Sequence, residues 1–169
     1  MRIISCILLI LAPLMGKAQI SFDRYFSDKV LRFDFMFAGN HEKTIVYPAG
    51  MKEEPFYGGS KTQLTDPFGY GNFRYELLDS ATNRLIYSRG FCTLFQEWQT
   101  TAEAKVMERS FYEVATMPFP RNKSKFVISR RMPDGSFSKL YETFIDPEDY
   151  FIRKEKPADA RVTDRKSVV

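Results

Sequence analysis

Residues Val30 to Phe37 read VLRFDFMF and alternate without a break. In an extended chain Leu31, Phe33, Phe35 and Phe37 share one side, while Arg32, Asp34 and Met36 share the other. A period of two marks a strand with one face in a core and the other in water. Downstream, Thr44 to Tyr47 predicts a short second strand stopped by Pro48, and Ala49 to Gly71, rich in Gly, Pro and polar residues, predicts a long loop. Phe73, Tyr75 and Leu77 alternate with Arg74 and Glu76; a turn cluster at Asp79 to Asn83 then leads to Leu85-Ile86-Tyr87, which predicts a hairpin.

Further strands are expected at Phe111 to Met117, ended by Pro118 and Pro120, and at Phe126 to Ile128. Met132-Pro133-Asp134-Gly135-Ser136 is a turn, because Pro presets one dihedral and Gly accepts the left-handed one. Phe137 to Ile145 pairs back, Asp146-Pro147 ends it, and Tyr150-Phe151-Ile152 is a last short strand. Short strands separated by turn signals predict an all-β fold, an antiparallel β-sandwich. Long helical patterns between strands are missing, which excludes a doubly wound sheet.

One stretch interrupts the strands. Phe91 to Lys105 reads FCTLFQEWQTTAEAK and holds Trp98, the single tryptophan of the chain. Thr100 and Glu103 have the spacing of a capping box and predict one short helix near Thr101 to Glu108. The stretch reads as a crossover between two sheets, with Trp98 buried beside Leu94 and Phe95 as its anchor.

The ends read differently from the body. Arg2, the apolar run Ile3 to Met15 and the small residues around Gly16-Lys17-Ala18 predict a signal peptide over residues 1–18, cut before Gln19. The expected organisation is thus a signal peptide, a sandwich over residues 19–152 and a charged linker or tail over residues 153–169. Export to the periplasm, cell surface or medium follows, with no membrane span after cleavage. Of the two cysteines only Cys92 then remains, so an internal disulfide is excluded and the core must hold the domain. Cys92 is expected to be a small buried residue between Phe91 and Thr93 rather than a nucleophile or an intermolecular bridge. The formal charge of +4 sits at the ends: Gln19 to Ile152 carries about −1 and Arg153 to Val169 carries +3. A nucleic acid partner is not expected of such a body.

Catalytic patterns are absent. His41 is the one histidine, and His41-Glu42 begins like a zinc-binding H-E-x-x-H, but Ile45 stands where the second histidine belongs. Gly58-Gly59-Ser60-Lys61 lacks phosphate-loop spacing, and Asp146, Glu148 and Asp149 lack calcium-loop spacing. No catalytic, cofactor-binding or metal-binding residue is assigned, and no cofactor. Most of the 16 Phe fall on alternating strand faces and belong to a core. Tyr57, Phe68, Tyr70 and Trp98 lie in or near loops and are the candidates for a ligand surface, with a glycan as the alternative partner.

Four segments together carry a family resemblance: Phe22-Asp23-Arg24-Tyr25-Phe26-Ser27-Asp28-Lys29-Val30-Leu31-Arg32 with Asp34 and Gly39; Pro55-Phe56-Tyr57-Gly58-Gly59 leading to Gly69-Tyr70-Gly71; Ile86 to Trp98 with Thr101 to Lys105; and Phe144-Ile145-Asp146-Pro147. The chain resembles the N-terminal domain of the IgA-type zinc metallopeptidases, metallopeptidase family sixty-four, over roughly Ile20 to Lys154. The Thr-Leu-Phe-Gln-Glu-Trp run, Thr93 to Trp98, is its most specific part. The resemblance implies a secreted bacterial β-sandwich that precedes a separate catalytic domain carrying the H-E-x-x-H zinc helix. It implies a non-catalytic accessory module whose partner is a metallopeptidase catalytic domain or its protein substrate. The alternative is a stand-alone glycan- or surface-binding module.

Overall fold

The computed structural model describes residues 19–154. The expected signal peptide and most of the charged tail lie outside the described residues. A short helix α1 (Phe22–Tyr25) leads into β1 (Phe26–Gly39), β2 (Thr44–Pro55), β3 (Phe73–Asp79) and β4 (Leu85–Phe91); after the helix α2 (Leu94–Trp98) and a 3₁₀ turn (Glu103–Lys105) come β5 (Arg109–Pro120), β6 (Ser124–Arg131), β7 (Phe137–Ile145) and β8 (Ile152–Lys154). They form two four-stranded sheets, ordered β5-β1-β2-β8 and β4-β3-β6-β7. All pairings are antiparallel except β2 with β8, which is parallel. The expected all-β sandwich is therefore the fold.

The alternation in β1 is what joins the sheets. Leu31, Phe33, Phe35 and Phe37 are all buried and face the second sheet. Phe33 meets Phe126 of β6 at 4.6 Å between ring centroids, and Phe37 meets Phe73 of β3 at 4.5 Å. Offset and tilted contacts at such distances suit the ring quadrupoles. On the second sheet Tyr75 and Leu77 continue the inner face of β3, and Tyr75 reaches across to donate to the Thr116 carbonyl at 2.8 Å.

Two strands run past the prolines expected to stop them. β2 continues from Pro48 to Pro55, so Ala49 to Pro55 is strand and not loop. Asp34 pairs with Gly50 but Phe35 pairs with Pro48, which leaves Ala49 as the extra residue of a bulge. β8 covers β2 only at Met51 to Glu53, so Pro48 sits where β2 has one neighbour and needs no second ladder bond. β5 likewise extends through Pro118 and Pro120. It lies at the edge of its sheet, where a missing N–H is harmless. Glu113 of β5 pairs with Phe35 and points inward, and burial pushes its carboxyl up from the ordinary range. An inward charge and two prolines on an edge strand discourage pairing with another chain.

The last strand is Ile152–Lys154 rather than Tyr150 to Ile152; Ile152 is the buried residue, and Tyr150 and Phe151 are exposed. The hairpin of β3 and β4 forms as expected, with Phe73 opposite Phe91. Phe37→Ala removes a side chain with no exposed surface at the meeting point of both sheets. It should cost about 3–5 kcal/mol in a denaturant melt, the range for a core phenylalanine.

Candidate functional site

The crossover helix begins earlier than the capping-box spacing predicts. Thr93 is the N-cap, its Oγ1 accepting from the Gln96 N–H at 3.2 Å, and the helix covers Leu94–Trp98. Thr100 and Glu103 do not cap: the Thr100 hydroxyl donates to the Glu97 carbonyl at 2.7 Å, and Glu103 accepts the Trp98 Nε1–H at 2.8 Å and pairs with Arg109 at 2.9 Å. Only a 3₁₀ turn, Glu103–Lys105, stands where the longer helix was expected. Trp98 is buried against Phe95 and Phe111, so it is a core anchor and not a ligand platform. Leu94 does not share that burial; it is exposed. Sequence reasoning passed over Gln99, which is buried and ties the crossover to the β1–β2 turn by donating to the carbonyls of Asn40 at 2.6 Å and Lys43 at 3.3 Å.

The other polar candidates are occupied by ordinary structure. His41 is exposed beside Glu42, 3.3 Å away. Ser60 Oγ accepts from the Gln63 N–H, and Lys61 pairs with Asp28 at 3.0 Å, so the Gly58 to Lys61 segment folds as a surface turn. Asp146 and Asp149 cap their own turns by accepting from the N–H groups of Glu148 and Phe151. Among the described residues no group of three or more His, Cys, Asp or Glu side chains is placed to hold a metal ion.

What the structure does build is a groove where residues 57–71 fold against β4. It has a volume of about 630 Å³, and its walls include Tyr57, Phe68, Tyr70, Tyr87, Arg89 and Cys92. Three of the four aromatic candidates therefore come together, and Trp98 does not. Cys92 is on this surface, exposed, and not buried as expected. Phe91 turns toward the core, and the side of the chain left to Cys92 faces out, since successive side chains alternate.

The wall bearing Phe68 and Tyr70 is pinned at several points. Asp66 accepts from the N–H groups of Phe68 at 2.9 Å, Gly69 at 3.2 Å and Gly90 at 3.3 Å, while its own N–H donates to Ser88 Oγ at 3.0 Å. Arg131 donates to the Gly71 carbonyl at 2.8 Å and to the Gly69 carbonyl. Gly71 sits at φ +93°, and a Cβ there would come within 2.6 Å of the Phe91 backbone. On this fixed loop the Phe68 and Tyr70 rings lie parallel, with centroids 5.6 Å apart and planes 9° apart, and they are 72% and 75% exposed.

Tyr87 and Arg89 stand on the inner face of β4, opposite Leu77 and Tyr75, at the open rim of the sandwich. Burial pushes the Tyr57 and Tyr75 phenols well above the ordinary tyrosine range, with the neighbouring Tyr87 adding to it. Tyr57 lines the groove, whereas the Tyr75 hydroxyl is spent inside the sandwich on the Thr116 carbonyl.

Fold and groove define a small β-sandwich module with an aromatic-lined groove at one edge. The profile of the family described as Peptidase M64 N-terminus matches residues 21–142, and the chain belongs to that family. The resemblance read from the sequence is thereby borne out, although its fourth segment, Phe144 to Pro147, falls beyond the match. No curated protein matches the chain. Among the described residues no helix is long and apolar enough to cross a membrane.

Gly71→Ala forces a side chain into the Phe91 backbone at a positive φ. It should destabilise the domain by about 1–3 kcal/mol through backbone strain alone. Limited proteolysis should then cut first between residues 64 and 72, and the same segment should resist cleavage in the unchanged protein.

Proposed function

We propose that this chain is the non-catalytic N-terminal accessory module of a secreted, IgA-type bacterial zinc metallopeptidase. It positions the protein substrate or supports the catalytic domain. The observation that carries this reading is the family match, which is to the N-terminus of the M64 peptidases and spans most of the sandwich. The apolar run Ile3 to Met15 followed by Gly16-Lys17-Ala18 supports a place outside the cytoplasm, in the periplasm, on the cell surface or in the medium. Incubating the whole chain with casein and added zinc should give no hydrolysis that a chelator abolishes. Chelator-sensitive cleavage that copurifies with the chain through successive columns would overturn the reading.

A second reading, a glycan-binding module, is favoured by one specific feature. Two aromatic rings stand exposed on a loop fixed by hydrogen bonds to Asp66 and Arg131, where core packing does not need them.

A further inference from the structure

The groove holds one charged group with no carboxylate to answer it. Arg89 is exposed at the rim, and the groups acting on its guanidinium are the phenols of Tyr87, Tyr75 and Tyr57. The nearby carboxylate, Asp66, is taken up by three backbone N–H groups of its own wall. Beside this cation stands the parallel pair of Phe68 and Tyr70. We propose that the groove binds an acidic saccharide, with Phe68 and Tyr70 stacking on the sugar and Arg89 pairing with its carboxylate. This rests on the glycan-binding reading of the groove and names the class of glycan.

Three observations favour a sugar over a peptide. The flat ring pair offers broad faces for the C–H surface of a pyranose. The volume, about 630 Å³, suits a ligand of two or three sugar rings. Strand addition, the usual way a sandwich edge takes a peptide, is closed here: the Ser88 N–H donates to the Leu64 carbonyl and the Gly90 N–H to Asp66. The edge of β4 is already capped by the chain itself. Charge argues for the acid. Gln19 to Ile152 carries about −1, so the body as a whole offers an anion no general attraction, and recognition must come from a local cation. A guanidinium beside the phenols of Tyr57 and Tyr87, both in the groove wall, supplies a forked donor for a carboxylate.

Calorimetric titration of the whole chain with three probes tests the proposal: a trisaccharide of galacturonic acid, neutral galactotriose, and an acidic hexapeptide of Asp and Glu. The galacturonic acid trisaccharide should bind at least roughly tenfold tighter than galactotriose, a difference of about 1.4 kcal/mol. Arg89→Gln should erase that preference and leave the weaker neutral binding, and Phe68→Ala with Tyr70→Ala should abolish binding of both sugars. Circular dichroism checks that each variant is folded. Equal binding of the two sugars overturns the carboxylate assignment and leaves the glycan reading standing. No sugar binding by folded protein overturns both. Binding of the hexapeptide alone overturns the proposal in favour of a peptide partner, and sugar binding that survives loss of both rings overturns the assigned groove.

Discussion

Everything in this domain depends on one face of one strand. β1 presents Leu31, Phe33, Phe35 and Phe37 to the second sheet, and the contacts of Phe33 with Phe126 and of Phe37 with Phe73 hold the two sheets face to face. β1 is also paired along both edges, with β2 on one side and β5 on the other. A strand so enclosed has little freedom in register, because a slip of one residue would turn its phenylalanines to water. The remaining elements are placed relative to it: the crossover packs Phe95 against Phe37, and Trp98 closes over Phe95 from the far side.

The period-two signal made this core legible, since alternation is a local property that burial then satisfies. The same holds for the β3–β4 hairpin and the turn before β7. What stayed hidden depends on neighbours that a local reading does not see. Pro48, Pro118 and Pro120 stop a strand only if a partner needs their N–H, and here two of them lie on an outer strand and one beside a bulge. The crossover helix was misplaced because both Thr93 and Thr100 can cap. The choice went to Thr93, while Glu103 was drawn to the indole of Trp98 and to Arg109. In both cases the local chemistry leaves two options open, and the tertiary partner decides between them.

The groove was half legible. Tyr57, Phe68 and Tyr70 stand out as loop aromatics, yet their convergence depends on Asp66, which ties the loop to β4, on Arg131, which ties it to β6, and on the tight approach of Gly71 to Phe91. Arg89 could not be singled out, because its meaning comes from the phenols around it. The family places the domain at the front of a peptidase. The groove adds an exposed, fixed aromatic pair that the core does not need, which is the feature that makes the proposed recognition role testable.

The aromatic residues of this chain divide into rings that hold the sandwich together and a pair, Phe68 and Tyr70, that stands exposed. Equilibrium denaturant unfolding of the double variant Phe68→Ala, Tyr70→Ala tests that division most directly. Because both rings are mostly exposed, the account predicts a stability within about 0.5 kcal/mol of the unchanged chain. A loss of about 3 kcal/mol or more, the size expected for a core phenylalanine, would make the pair part of the core and contradict the account.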